Sequence, residues 1–425
     1  MELANLEDGF VAAEGQRIQC LFWYDTALTD KLLAVAGGKF YAFNESTKVW
    51  ELYINAAISN IDEMVSVCQL SDNLWWTDKN SGGIRRWNGT AISTISGTSV
   101  PIATIMECFT NRLIASGVAS VPDAIYFSDI LDGSVWNVLN ILRVGADGDP
   151  IVAIQSWQDS TLVVFKRKST WVIDINPTVS VASFPIKNIH RTVGCVAWRS
   201  VSQVGQDVFF LSRNGVMSVQ KQVATSNNLV QVPESISVQD VIESIRWDYA
   251  YKSTSIFYAN HYILFIPVES NEPDTALVWS ELTKSWVGVW TGNKVADLIE
   301  QPFGGTTRLV IGASNGEVRT SLDTLREDEE SYSTFTDGFG NLMIPTPIPV
   351  QLPTAPNVEA IVRTRAMEFN DTMSPKTGWY IEAEFLARDG DITLGVILDG
   401  APKIMLDEWT FSTSGAILTV TLPFT

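Results

Sequence analysis

The chain has 425 residues, 46% of them apolar and 18% charged, which is enough apolar mass for a large core and too little charge for a disordered protein. Lys and Arg number 29 against 48 Asp and Glu, a formal charge of −19. A surface that recruited nucleic acid through phosphate contacts would work against that field, so ordinary DNA or RNA binding is excluded as a first reading.

Residues 1–30 read as an N-terminal arm or platform. No run approaches the roughly 18 uninterrupted apolar residues of a membrane-spanning helix. Residues 1–10 are acidic where a signal peptide is basic and then apolar, so a soluble chain with no membrane span and no secretion signal is expected. The four cysteines, Cys20, Cys68, Cys108 and Cys195, lie in apolar runs without a C-x-x-C spacing. They are expected to be buried thiols acting as small hydrophobes, with neither a zinc site nor disulfides.

From residue 31 to about 325 one theme repeats. A short β-branched or aromatic run is followed by a turn holding Gly, Asn or Asp, and then by a second run that often ends in Trp. The first unit pairs residues 31–36 with 39–43 across Gly37-Gly38 and closes with a strand near 49–54. Six more follow: 73–76 with 83–87, 112–116 with 124–128, 161–165 with 170–173, 207–211 with 215–217, 262–266 with 276–279, and 308–311 with 316–318. Runs such as Leu162-Val163-Val164-Phe165 are apolar on both strand faces, as expected of sheets stacked radially. The fold class predicted is all-β, a β-propeller of six or seven irregular blades. Val238, Val241, Ile242 and Ile245 stand at helical spacing and predict one short amphipathic helix over 235–247.

Residues 326–357 form an acidic and Pro-rich linker, opening with Arg326-Glu327-Asp328-Glu329-Glu330 and carrying Pro345, Pro347, Pro349, Pro353 and Pro356. Strand patterns return over 358–425, at 359–365, 379–385, 392–398 and 416–422. The second alternates Tyr380, Glu382 and Glu384 with Ile381, Ala383 and Phe385, the pattern of a half-exposed antiparallel strand. A small C-terminal β-sandwich is expected.

Catalytic signatures are scarce. A Ser-His-Asp or Cys-His arrangement would need His190, which is expected to open a basic-polar strand, or His261 at a hairpin tip, and both read better as surface or turn residues. There is no G-x-S-x-G, Walker loop or H-E-x-x-H, and the Gly-Gly pairs lie between strands, where they serve hairpins. The segment from Asp129 through Asp132 and Gly133 to Trp136 has the look of the structural Asp-box turn of sialidases, with an extra residue. Asp147, Gly148 and Asp149 hold closely spaced carboxylates that would suit Ca²⁺, but the loop is incomplete and a polar turn is the preferred reading. No enzyme activity, metal or cofactor is expected.

The order of several segments resembles the tail nozzle or tail hub proteins of short-tailed bacteriophages, in which such chains serve in the tail tube and in DNA stabilisation. The residues that carry the resemblance are Pro122-Asp123-Ala124-Ile125-Tyr126-Phe127-Ser128-Asp129 leading to Trp136, and Asp147-Gly148-Asp149-Pro150-Ile151. Leu162-Val163-Val164-Phe165-Lys166-Arg167-Lys168-Ser169 with Trp171-Val172-Ile173, then Thr192-Val193-Gly194-Cys195 and Val208-Phe209-Phe210-Leu211-Ser212-Arg213-Asn214-Gly215-Val216, continue it. Arg363-Thr364-Arg365-Ala366-Met367-Glu368-Phe369 and Val396-Ile397-Leu398-Asp399-Gly400 resemble the β-domain that closes such proteins.

The resemblance implies a virion structural protein, synthesised in the bacterial host cytoplasm. Six copies would form a ring below the portal and adaptor, continue the DNA channel, and carry tail fibres or a spike. On that view the acidity has a role, since a lumen lined with carboxylates repels phosphate and lets DNA pass without sticking. Candidate lumen residues are Glu327, Asp328, Glu329, Glu330, Glu382 and Glu384. The alternatives are a receptor- or glycan-binding propeller, with a glycan-sized cleft and exposed aromatics, and a propeller glycoside hydrolase, with a close carboxylate pair of which one member has a raised pKa.

Overall fold

The computed structural model describes residues 16–320 except 28, 48, 57, 59, 60, 62, 78–82, 225–232 and 293, together with the backbone of 379–386, 390–397, 405–413 and 417–424. Two compact units divide the chain, residues 1–363 and 364–425.

The first unit is a seven-bladed β-propeller whose blades are antiparallel meanders taken in strict chain order. Blade 1 is Ile18–Asp25, Asp30–Ala36, Lys39–Asn44 and Val49–Ile54, and blade 2 is Ser66–Leu70, Asn73–Thr77, Ile84–Trp87 and Ile92–Ile95. Blade 3 is Ile105–Phe109, Arg112–Ser116, Ala124–Asp129 and Asp132–Arg143, and blade 4 is Ile151–Trp157, Thr161–Lys166, Thr170–Asp174 and Ile186–His190. Blade 5 has three strands, Ser202–Val204, Asp207–Ser212 and Gly215–Ser218, while blade 6 is Thr254–Tyr258, His261–Ile266, Thr275–Ser280 and Ser285–Thr291. Blade 7 contributes Val295–Phe303, Thr306–Ala313 and Val318–Thr320. The strand Ile18–Asp25 falls within the residues 1–30 that the sequence assigns to an arm; it is the inner strand of blade 1.

Each blade buries its middle strands against both neighbours, which is why those strands are apolar throughout. Leu162, Val163, Val164 and Phe165 are all fully buried. Leu162 and Val164 face blade 3, while Val163 and Phe165 face blade 5. Seven apolar clusters result among the described residues, one at each blade interface, including the interface of blade 7 with blade 1. Aromatic pairs mark several of them, with ring centroids 5.1 Å apart for Phe40 and Trp76, 4.7 Å for Phe165 and Phe210, and 4.9 Å for Phe209 and Trp279. Each such pair adds about 0.5–1.5 kcal/mol beyond its buried area.

The hairpins are made by residues that accept positive φ. Gly37 and Gly38 stand at φ +54° and +75°, and a Cβ on Gly38 would lie 2.3 Å from the Ile58 carbonyl oxygen. Ala259 and Asn260, at φ 48° and 61°, turn the chain into His261.

The first strands of the blades pack side by side around a common axis, and Ile18–Asp25 meets Val295–Phe303 to close the ring. In blade 5 the 3-10 turn Trp198–Ser200 takes the place between blades 4 and 6. A polar tie crosses the closing interface, where Arg308 of blade 7 pairs with Glu45 of blade 1 at 2.5 Å, and Arg17, just ahead of blade 1, reaches past it to Glu272 in a blade 6 hairpin at 3.0 Å.

The helix expected over 235–247 is a 3-10 turn, Glu234–Val238, continued by the α-helix Gln239–Glu243, with Ile242 and Ile245 buried against blades 5 and 6. A second short helix, Val219–Ala224, packs on blade 5. Its start is fixed by Ser218 Oγ, which accepts the Lys221 amide at 3.0 Å, and by Asp207, which accepts the Gln220 amide at 2.8 Å.

In the second unit Trp379–Leu386 pairs antiparallel with Ile417–Phe424, and Gly390–Ile397 with Met405–Thr413. Three of the predicted strands fall on these, and Met405–Thr413 is additional. The predicted strand at 359–365 lies outside the described residues.

Candidate functional site at the propeller axis

The inner strands carry few charges, so those present define the axis. Ile105–Glu107 of blade 3, Ile154 and Gln155 of blade 4, Trp198, Arg199 and Val201 of blade 5, Thr254 and Ser255 of blade 6, and Asp297 and Leu298 of blade 7 line a cavity of about 280 Å³.

Arg199 reaches from blade 5 across the axis. Its Nη2 donates to the carbonyls of Gln19 at 2.8 Å and Val65 at 3.1 Å, and its Nη1 lies 3.0 Å from Asp297 Oδ1. The guanidinium also lies 4.7 Å from the centre of the Trp198 ring. Both ion-pair side chains are buried, at 8% and 9% exposure. Asp297 Oδ2 accepts the Leu21 amide at 2.6 Å. Burial raises the Asp297 carboxyl above its ordinary range, and Arg199 with the amides of Leu21 and Leu298 only partly offsets that. Burial likewise pushes the adjacent Cys20 thiol up to about 12, so it is inert at neutral pH.

Glu107 is the second acid of the axis. Its Oε1 accepts the Ser156 amide at 2.8 Å, while Oε2 is buried with no hydrogen-bond partner. Burial pushes this carboxyl up to about 7, opposed in part by Ser156. The axis therefore holds a buried ion pair and a carboxyl poised near neutrality.

The predicted turn residues fall elsewhere, on blade rims. Asp129 pairs with Asp132 across the tight turn Ile130-Leu131. The Asp132 carboxylate accepts the Ser134 hydroxyl and amide, which hold it below the usual carboxylate range. Gly133 is required by packing, because a Cβ there would stand 2.4 Å from Leu113 Cδ1, and its carbonyl accepts Trp136 Nε1 at 2.9 Å.

The Asp147, Gly148 and Asp149 turn is organised by cations of the chain itself. The fully buried Lys166 ammonium donates to Asp147 and, at 3.0 Å, to the Val144 carbonyl. Beside it Asp123 pairs with Arg143 at 2.7 Å and accepts the Gly148 amide at 3.3 Å. Burial works against the charged Asp123, yet Arg143 and the amides outweigh it and keep the carboxyl low. Asp149 accepts the Lys168 amide at 3.1 Å. The carboxylate and carbonyl that a Ca²⁺ would use are thus taken by an ammonium. Among the described residues no group of three or more His, Cys, Asp or Glu could hold a metal.

His190 ends the strand Ile186–His190, where the sequence predicts that it opens one, and its Nδ1 accepts the amides of Thr192 at 3.3 Å and Val193 at 3.1 Å. His261 sits beside the Ala259-Asn260 turn with Nδ1 2.7 Å from the Ala259 carbonyl. All four cysteines are free thiols; Cys20, Cys68 and Cys195 are buried and Cys108 is half-buried. Glu382 and Glu384 lie on the strand Trp379–Leu386, paired with Thr421 and Thr419. Glu327, Asp328, Glu329 and Glu330 lie outside the described residues.

Glu107, Arg199 and Asp297 are not among the residues singled out from sequence. The signal that could have found them is a lone charge inside an apolar strand, as in Ile105-Met106-Glu107-Cys108-Phe109 and Val295-Ala296-Asp297-Leu298-Ile299.

Among the described residues no helix is long and apolar enough to cross a membrane. No protein-family profile matches the chain, and no curated protein does. One solved structure, described as "Crystal structure of BBS1N in complex with ARL6DN, soaked with mercury", is similar over 73% of this chain and 80% of its own, at 13% identity and a TM-score of 0.33. A likeness at that level carries no argument about function, which must come from the site itself.

Proposed function

We propose that this chain is a bacteriophage virion structural protein, the nozzle or hub of a short tail. Six copies form a ring that continues the DNA channel below the portal and adaptor, retains the packaged DNA, lets it pass on ejection, and offers a platform for fibres or a spike. The observation that carries the reading is the order of the family-like segments. Those between residues 122 and 216 fall in blades 3, 4 and 5 in sequence, most of them on buried strands or on the Asp123, Arg143, Asp147 and Lys166 clasp that joins blades 3 and 4.

The Arg199–Asp297 pair supports a scaffold role for the propeller, because it ties blade 5 to blade 7 across the axis. In this reading the conduit is the lumen enclosed by the subunits. Six copies, each carrying −19, give that lumen a field that repels phosphate. Glu327, Asp328, Glu329, Glu330, Glu382 and Glu384 are the proposed lining. Native mass measurement and negative-stain imaging test the proposal, with a sixfold ring expected. A stable monomer, or a ring with a basic lumen, refutes it.

One observation favours a second reading, glycoside hydrolysis. Glu107, raised to about 7, shares the axial cavity with Asp297, an acid and a carboxylate on one cleft. Asp297 is committed to Arg199 and the Leu21 amide, which weighs against it as a nucleophile. Release of reducing sugar from a host polysaccharide, abolished in Glu107→Gln, would establish this second reading over the first.

A further inference from the structure

We propose that the axial cavity is a binding site for a primary ammonium group on a short alkyl stem, held by the Glu107 carboxylate. The cavity of about 280 Å³ has room for roughly nine water-sized heavy atoms. Glu107 lines it with one oxygen satisfied by Ser156 and the other without a donor. A buried acceptor left unmatched is costly, more so when charged, and a bound donor would remove that cost.

The wall's own cation cannot serve. Arg199 is held by its ion pair with Asp297 and by the Nη2 bonds to the carbonyls of Gln19 and Val65, and the groups acting on the Glu107 carboxyl are burial and Ser156, not this guanidinium. With that pair neutral, an ionised Glu107 leaves the described lining at net −1, and a monovalent cation is the complement. Among cations, the geometry selects. A guanidinium prefers two parallel bonds to a carboxylate, and the Ser156 amide already occupies one oxygen. A divalent metal needs several oxygen ligands, and among the described lining residues Glu107 is the one uncommitted carboxylate. An ammonium offers donors from a single point, and Ile105, Ile154, Val201 and Leu298 provide apolar wall for a stem.

The titratable and charged groups around Glu107 are Cys108 beside it, Cys68 on the strand Ser66–Leu70, and Arg199 and Asp297 across the cavity. Both thiols are pushed upward, Cys108 to about 11, so Glu107 is the group that changes charge near neutral pH.

Calorimetric titration of the full chain with n-butylammonium tests the site, with n-butanol and glucose as neutral comparisons. One amine per chain is expected to bind at pH 8, with affinity about 30-fold weaker at pH 5.5, the ratio of ionised Glu107 for a pKa of about 7. At pH 6.5 binding should release about three-quarters of a proton, read from heats in buffers of different ionisation enthalpy, a measurement that needs no variant. Glu107→Gln should abolish amine binding. The proposal fails if the amine gives no heat at millimolar concentrations, if n-butanol or glucose binds as well, if binding is indifferent to pH, or if Glu107→Gln binds the amine unchanged.

Discussion

Replacing Arg199 by leucine removes the cation that joins blade 5 to blades 1 and 7 across the axis. Asp297, 7% exposed, would be left as an unpaired buried charge. Deleting one partner of a buried pair costs about 3–5 kcal/mol. The Val65 carbonyl loses its donor as well, at about 1 kcal/mol, while the Gln19 carbonyl keeps the Val65 amide at 3.2 Å. The total, about 4–6 kcal/mol, is comparable with the whole stability of many domains. Protonation of Asp297 limits the loss, because a carboxyl stripped of its cation in apolar surroundings takes up a proton more readily. The deficit should therefore be smaller at pH 5 than at pH 8. Urea unfolding of the full chain, followed by tryptophan fluorescence, would compare Arg199→Leu, Asp297→Leu and the double variant at both pH values. The double variant should be less destabilised than the sum of the singles, by about 3 kcal/mol at pH 8. An Arg199→Leu protein within about 1 kcal/mol of the parent at pH 8, or a strictly additive cycle, would show that the pair does not hold the ring together.

Glu107 gives stability a pH dependence of its own. The folded chain holds a proton up to about pH 7 that the unfolded chain releases near 4.5, so this contribution is complete below 4.5 and is lost as pH climbs through 7, about 3 kcal/mol in all. Glu107→Gln should match the parent at pH 4 and exceed it increasingly toward pH 8; melting curves that stay parallel across that range would contradict the burial argument. Lys166→Met should cost about 1–3 kcal/mol, because the Val144 carbonyl loses its donor while Asp147, 48% exposed, is taken over by water. Millimolar Ca²⁺ should leave the melting temperature of the parent protein unchanged, and a calcium-dependent rise would mean that the ammonium does not hold the carboxylate turn.

All seven repeat units predicted from sequence are the second and third strands of the seven blades. Those strands are sandwiched by neighbours on both sides, so Leu162–Phe165 and Tyr262–Ile266 read as unbroken apolar runs. Inner and outer strands are less legible. Ile92–Ile95 on the rim of blade 2 has no fully buried residue, and Thr254–Tyr258 at the axis buries only its first. Ile18–Asp25 precedes the first two-strand unit and so falls outside the repeat as the sequence displays it. The helix Val219–Ala224 escapes periodicity because six residues are too few to show a face, although Ser218 stands where a cap belongs. The axial site was hidden for a different reason. Glu107, Arg199 and Asp297 are spread over 190 positions, and only closure of the ring makes them neighbours.

That closure has a consequence for how the chain reaches its fold. Blade 1 takes all four of its strands from the beginning of the chain, and blade 7 meets it through side chains and ion pairs. During synthesis blades 1 to 5 can stack as each emerges, but Arg199 has no carboxylate to pair with until residue 297 has been made. Until then the growing molecule is an open arc with an unmatched cation at its centre and an apolar face on Ile18–Asp25 awaiting its last neighbour. The final blade converts a stack of local meanders into one cooperative body, a contact of long sequence separation and therefore a slow one. Chains interrupted before residue 297 should be those that chaperones hold.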